Sequence, residues 1–179
     1  AGLLAAHSVA ALAEIDDARQ ALRFQNTGAA IRALQPLAEA GDMMAQYLMA
    51  QSRMDRQQYT EALTWYRLAA EQGHNVSQAV LASLLQQGIG TDRDEAAAQT
   101  WLRRAAANGH AGARLNIALS LLTQDASDAQ KRQGATLLAA TADQGDVEAQ
   151  AAYGMMLYEG TVLPENRVQG LVWLYLARQ

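Results

Sequence analysis

The stretch WYRLAAEQGH, from Trp65 to His74, returns later in the chain as WLRRAAANGH, from Trp101 to His110. The same offset of 36 residues leads on to Leu137 and then to Trp173. Self-similarity at a fixed period of about 20–50 residues is typical of repeat proteins, in which one small structural unit is copied along the chain. We therefore interpret these Trp and His residues as members of a structural repeat and not as parts of an active site.

Three further positions recur with the same period. A small residue stands three positions before each copy of the Trp position, where it leaves room for a neighbouring backbone or ring. Gly41 and Gln46 precede the next glycine and glutamine of their sets by 32 residues instead of 36, because the loop between them is four residues shorter. The small residues are Ala62, Ala98, Gly134 and Gly170; the glycines that close the alanine runs are Gly41, Gly73, Gly109 and Gly145; the third set is Gln46, Gln78, Arg114 and Gln150.

Each repeat has the pattern of two helices joined by a turn. Apolar residues between Ser77 and Gln86 recur at helical spacing. Gly88 and Gly90 follow, and glycine tolerates the left-handed conformation that ends a helix. Thr91, with Asp94 three residues later, then predicts a capping box for the second helix. One such pair cannot cover its own apolar face, so we expect the pairs to stack on one another.

The composition favours an all-α fold and argues against several functional classes. Hydrophobic residues make up 50% of the 179 residues, which is enough for a buried core. A net charge of −4 with a single lysine argues against a nucleic-acid surface. The absence of cysteine excludes disulfides, thiolate nucleophiles and cysteine-ligated zinc. No apolar segment approaches the roughly 20 residues that span a membrane.

On these recurring positions, the stretch GIGTDRDEAAAQTWLRRAAANGHAGA resembles the Sel1-like repeat, a relative of the tetratricopeptide repeat (TPR). The resemblance implies a right-handed α-solenoid of antiparallel helix pairs. It covers residues 42–179, in repeats of about 42–73, 74–109, 110–145 and 146–179. Residues 14–41 resemble a more generic TPR helix pair that caps the array. The third repeat departs from the pattern, since Leu137 replaces Trp and TQDASDAQKRQG replaces the glycine turn.

Both ends of the chain leave alternatives open. Residues 1–13 are uncharged and rich in Ala and Leu, and they end in Ala-Leu-Ala before Glu14. This segment is either the remnant of a secretory signal peptide or the first helix of the domain. The fourth repeat stops before its closing glycine, so continuation of the natural chain past Gln179 is also open.

We find no catalytic constellation in the sequence and predict no enzyme activity, metal or cofactor. His74 and His110 share one repeat position with Asp42 and Asp146, and equivalent positions in a stack of helices lie too far apart to share a metal ion. We interpret these residues as polar turn residues that follow a helix-ending glycine. The acidic clusters lie at predicted helix starts, where the helix dipole favours negative charge.

The differences between repeats predict a binding groove. By resemblance to TPR arrays, the first helix of each repeat lines the concave side. Leu115, Leu119 and Leu122 form an apolar stripe there, which suits a bound peptide segment, although burial of the whole helix remains an alternative. The predicted groove residues are Tyr47, Gln51, Met54, Ser83, Gln86, Leu115, Leu119, Leu122, Met155 and Tyr158.

These patterns together predict a non-enzymatic scaffold that binds a protein or peptide partner in its groove. The alternative is a hydrolase or binder that acts on cell-wall or carbohydrate material, which the resemblance and the acidic loops suggest. A homo-oligomer remains open. The resemblance to bacterial members of the family favours an exported, periplasmic or envelope-associated protein, with the cytoplasm as the alternative.

Overall fold

The computed structural model describes residues 9–24 and 26–179. Within this part the chain forms ten α-helices in consecutive antiparallel pairs, so the all-α prediction is confirmed. The helices are α1 (Val9–Arg23), α2 (Thr27–Glu39), α3 (Met43–Asp55), α4 (Tyr59–Glu71), α5 (Asn75–Gln87), α6 (Glu95–Ala107), α7 (Ala111–Ser120), α8 (Asp128–Asp143), α9 (Val147–Glu159) and α10 (Arg167–Leu176).

The chain divides into two compact units, and the division falls inside α6. Unit 1 ends at Trp101 and unit 2 begins at Leu102. In unit 1, α1 runs across the predicted boundary between residues 13 and 14. Residues 1–8 of the predicted N-terminal segment lie outside the described residues.

Each unit buries its own apolar residues. Unit 1 has one core cluster built around Leu34 and Met49, and a second built around Leu81 and Tyr66. Unit 2 has a cluster built around Leu138 that joins residues of α7, α8 and α9. Small side chains make up much of each cluster, which allows the helices to approach closely.

The first helix of each predicted repeat is capped by the residue at one repeat position, which is Asp in two repeats and His in the other two. Asp42 and Asp146 accept hydrogen bonds of 2.7 and 2.8 Å from the backbone N–H three residues on, at the starts of α3 and α9. His74 Nδ1 accepts from Ser77 N–H at 3.2 Å, and His110 Nδ1 from the equivalent N–H at 3.1 Å. The interpretation of these positions as structural is therefore confirmed, and their task is helix capping.

The second helix of the best-matching repeat begins later than the sequence pattern predicted. Helix α6 starts at Glu95, and Asp94 accepts a 2.9 Å hydrogen bond from Ala97 N–H. The predicted cap at Thr91 is wrong, because the turn that contains Gly88 and Gly90 extends further. Both glycines have positive φ, as expected for a helix end and a turn.

The small-residue column marks the places where the helices approach most closely. In unit 2, a Cβ atom added at Gly134 would lie 2.8 Å from the carbonyl oxygen of Ala118. A Cβ atom added at Gly170 would lie 2.8 Å from the carbonyl oxygen of Gly154. The prediction that this column leaves room for a neighbouring backbone is confirmed at both glycines.

One repeat position links consecutive helices, and it is occupied by Gln46, Gln78, Arg114 and Gln150. Each side chain donates a hydrogen bond to the carbonyl oxygen eight residues earlier, near the end of the preceding helix. The four donor–acceptor distances lie between 2.9 and 3.2 Å. Each of these carbonyl groups also accepts a hydrogen bond from the N–H of the glycine that follows the helix, so the side-chain contact adds a second bond and ties the next helix to this end.

Candidate protein-interaction surface

The predicted groove residues of unit 1 are largely occupied by internal contacts. Tyr47 is half-buried, and its ring centroid lies 4.5 Å from that of His74. Gln51 donates a 2.8 Å hydrogen bond to the Tyr47 hydroxyl. Met54 packs against the core cluster of Leu81 and Tyr66. These three side chains therefore offer little apolar surface to a partner.

The other two groove residues of unit 1 are exposed and polar. The Ser83 hydroxyl accepts a 2.7 Å hydrogen bond from Gln87. The Gln86 side chain donates to Glu95 at 3.3 Å. Hydrogen bonds from Gln99 and Arg93 lower the pKa of Glu95, so this exposed carboxylate stays ionised. The first-helix surface of α5 is therefore hydrophilic.

The three leucines of the predicted apolar stripe, all in unit 2, differ in how far they are buried. Leu115 is only 6% exposed and belongs to the core cluster, so it is a core residue and not a surface residue. Leu122 is partly buried against the same cluster. Leu119 is 48% exposed, and on α9 Met155 and Tyr158 are 43% and 38% exposed.

The three exposed residues hold related positions. Leu119 and Met155 lie 36 residues apart, at the same position of successive first helices, and Tyr158 is the equivalent of Leu122. Met155 and Tyr158 are three residues apart, so they are neighbours on the surface of α9. We call Leu119, Met155 and Tyr158 the first-helix face of unit 2.

An arginine lies against one side chain of this face. The Arg167 guanidinium is 5.7 Å from the centre of the Tyr158 ring, within the range of a cation–π contact. Arg167 also forms a 2.8 Å ion pair with Glu165. These contacts restrain the Tyr158 ring, which lowers the entropic cost of binding a partner against it.

The titration shifts in the described residues have structural causes. Burial raises the pKa of Tyr66 to about 12, with smaller contributions from Tyr47 and Asp55. Burial lowers the pKa of His74, whose Nδ1 is engaged in capping α5.

In the part of the chain that the structure describes, no group of three or more His, Cys, Asp or Glu side chains could hold a metal ion. The described helices include none long and apolar enough to cross a membrane.

The sequence reasoning missed a second apolar surface, on α10. The side chains of Val168, Leu171, Val172 and Tyr175 are each more than half exposed. A comparison of the repeats by position would have found it. Val172 is the equivalent of Thr64, Thr100 and Thr136, which are all exposed.

Comparison with known families agrees with the repeat pattern. Three segments match the Sel1 repeat, residues 43–74, 76–110 and 147–179, and together they cover more than half of the chain. The chain belongs to the Sel1 repeat family. The unmatched residues 111–146 contain the repeat that departs from the pattern at Leu137. Proteins built from Sel1 repeats generally mediate protein interactions and are typically non-enzymatic.

Solved structures show the same architecture. A Sel1 repeat protein from Oxalobacter formigenes is 28% identical, with a TM-score of 0.76 over 84% of this chain and 44% of that chain. The c5321 protective antigen of uropathogenic Escherichia coli, which displays a Sel1-like repeat fold, is 24% identical, with a TM-score of 0.68 over 83% of this chain and 33% of that chain. A Sel1 repeat protein from Klebsiella pneumoniae is 27% identical, with a TM-score of 0.50 over 80% of this chain and 71% of that chain.

The chain spans less than half the length of the first two of these proteins. None of the curated proteins matches the chain.

Proposed function

We propose that this Sel1 repeat protein is a non-enzymatic scaffold that binds an apolar segment of a partner protein on the first-helix face of unit 2. The observation that carries the proposal is the exposure of Leu119, Met155 and Tyr158 at repeat positions that are polar in α5. Large exposed apolar side chains in neighbouring positions are typical of interaction surfaces.

The chemistry of the three side chains supports a segment with one or two large apolar anchors. Methionine adapts its shape to different contacts, and tyrosine supplies a large ring at a low entropic cost. Ser83 and Gln86 are polar and hydrogen-bonded, so the equivalent positions of α5 offer no comparable apolar side chain. The partner segment is therefore assigned to unit 2.

The proposal is tested by selecting ligands from a displayed library of random peptides and measuring their affinity by fluorescence polarisation. We expect the selected peptides to be enriched in apolar residues. The double variant L119E/M155E should bind them at least about tenfold more weakly, since truncation of an interface anchor costs more than about 1 kcal/mol.

A control is L68E, which introduces one glutamate, against two in L119E/M155E, at a leucine that is 38% exposed in unit 1. This variant should bind the selected peptides as the wild-type chain does. Equal loss in both variants, or selected peptides whose affinity ignores the L119E/M155E change, would contradict the assignment of the face. Circular dichroism shows whether each variant keeps its helices.

We further propose that the protein acts in the bacterial cell envelope. The support is the bacterial source of the similar Sel1 repeat structures. Fractionation of cells that express the natural full-length gene from its own start codon tests this proposal. Recovery of the protein in the cytoplasmic fraction alone would rule out export.

A further inference from the structure

Two carboxylate side chains border the first-helix face of unit 2 on α9. Glu148 lies seven residues before Met155, and Glu159 lies four residues after it. All three residues are exposed. At 3.6 residues per turn, both glutamates lie within about 40° of Met155 around the helix, and they are about 16 Å apart along it. A segment that contacts Met155 therefore also meets both carboxylates.

The equivalent positions of α7 are exposed as well, although another repeat follows α7 in the same unit. Gly112, Leu119 and Thr123 lie 36 residues before the two glutamates and Met155. All three are exposed, while α8 packs on α7 and α9 packs on α8. A following repeat thus leaves these positions open, and their exposure on α9 is a property of the first helix of a repeat.

The described part of the chain does not neutralise either carboxylate. Glu148 and Glu159 form no ion pair and no side-chain hydrogen bond with a described residue, whereas Glu165 in the same unit pairs with Arg167. Glu159 is also the last residue of α9, where the negative end of the helix dipole disfavours a carboxylate. A positive group of a partner would therefore stabilise this end of the face.

The arginine that contacts the face lies on its opposite edge. Tyr158, which contacts the Arg167 guanidinium, is about 60° from Met155 around the helix, in the direction away from the two glutamates. Arg167 is itself paired with Glu165, so it does not offset the charge of those glutamates. The face thus has an apolar centre and an acidic border along one edge.

We propose that the partner segment is basic: it presents an apolar residue to Met155 and carries Lys or Arg residues that pair with Glu148 and Glu159. This inference rests on the proposed function, since it names the class of segment that the first-helix face binds. The two basic residues should be about 16 Å apart, which corresponds to about five residues of an extended segment or about eleven of a helix. Complementary charges of this kind select among partners.

The composition of the peptides selected from the displayed random library gives the first test. We expect Lys and Arg to be enriched on both sides of the apolar anchor. Apolar peptides with neutral or acidic flanks would overturn the basic partner and leave the proposed function standing. A selection that yields no apolar peptide would overturn both.

Fluorescence polarisation of one selected peptide tests the two glutamates directly. E148K/E159K should bind it at least about tenfold more weakly, because like charges then face each other, and E148Q/E159Q at least about threefold more weakly. The matched control is E14K/E71K, which makes the same change of charge at two exposed glutamates of unit 1. It should change the affinity by less than about twofold, as expected for surface charges outside the site. Equal loss in the two lysine variants overturns the assignment.

A charge-reversed peptide makes the test independent of whether a variant is simply damaged. The selected peptide with its Lys and Arg residues replaced by Glu should bind E148K/E159K at least about threefold more tightly than it binds the wild-type chain. Absence of this recovery, in a variant that circular dichroism shows to be folded, overturns the proposed pairing.

Discussion

The side-chain amide of Gln78 on α5 donates a 2.9 Å hydrogen bond to the backbone carbonyl of Ala70, close to the end of α4. Gln78 is only 3% exposed, so the contact is made inside unit 1. Gln46 and Gln150 make the equivalent bond at their own positions, and Arg114 makes it with its guanidinium group. The contact thus recurs where each first helix meets the helix before it.

Replacement of Gln78 by Met removes this hydrogen bond while it keeps the side-chain volume similar. We expect the free energy of unfolding to fall by about 1 kcal/mol, the usual net contribution of a buried hydrogen bond. Urea denaturation measures the change. The control is R114Q, which installs the glutamine found in the other repeats and should change stability by less than about 0.5 kcal/mol. Similar losses of stability in Q78M and R114Q would contradict the stabilising role of the hydrogen bond from Gln78 to the Ala70 carbonyl.

Replacement of His74 by Asp should remove a dependence of stability on pH. Burial lowers the pKa of His74 below its ordinary value, so the unfolded chain binds the proton more readily than the folded chain. The wild-type chain is therefore fully stabilised above about pH 6.5 and loses stability as pH falls below that value, because protonated Nδ1 cannot accept the capping bond.

Asp42 and Asp146 cap α3 and α9 in the same way. The ordinary pKa of aspartate, about 3.9, lies well below this pH range. The stability of H74D relative to the wild-type chain should rise by about 1 kcal/mol between pH 7.5 and pH 5.5, the usual magnitude of a helix cap. Thermal denaturation followed at several pH values checks the expectation. Parallel pH profiles for the two chains would show that capping by His74 is not the cause.

Replacement of Tyr66 by Phe should protect the protein from alkaline unfolding. Burial raises the pKa of Tyr66 to about 12, so the folded chain holds this proton more tightly than the unfolded chain. Stability is lost as pH rises from about 10, the ordinary tyrosine value, towards 12. Y66F lacks the titrating group and should lose about 1–2 kcal/mol less over that range. The exposed Tyr175, changed to Phe, serves as the control and should follow the wild-type pH profile.

Replacement of Gly154 by Ala should destabilise unit 2. A Cβ atom at this position would lie 2.9 Å from the carbonyl oxygen of Gly170, and the backbone of α10 would have to move. We expect a loss of about 1–3 kcal/mol from overpacking. At Gly112 on α7 the nearest atom would be 3.4 Å away on the His110 ring, so G112A should cause no loss. Chemical denaturation of the two variants makes the comparison.

Much of the fold could be predicted from the sequence because repetition makes structural roles visible. The small residue that recurs at one repeat position marks a close approach of helices at both Gly134 and Gly170. The alternation of Asp and His at positions such as Asp42 and His74 indicated a shared turn role, and both side chains cap helices. The exact start of α6 could not be predicted, since Thr91 and Asp94 are both good capping residues and only the path of the turn selects between them.

The candidate site was less predictable, because burial depends on neighbouring helices. Leu115 and Leu119 are four residues apart and belong to one stripe in the sequence, yet only Leu115 enters the core with Ala118. The exposed apolar side chains of α10 escaped notice for a related reason. Valine and leucine occur at both core and surface positions, so their sequence spacing does not show which side of a helix is covered.

The sequence by itself determined the helical class, the repeat period and the residues that cap and separate the helices, because these depend on local hydrogen bonding and side-chain size. The tertiary structure decided which apolar residues remain exposed. Leu119, Met155 and Tyr158 were candidates from the sequence, and the packing of the neighbouring helices left them exposed while it placed Leu115 in the core.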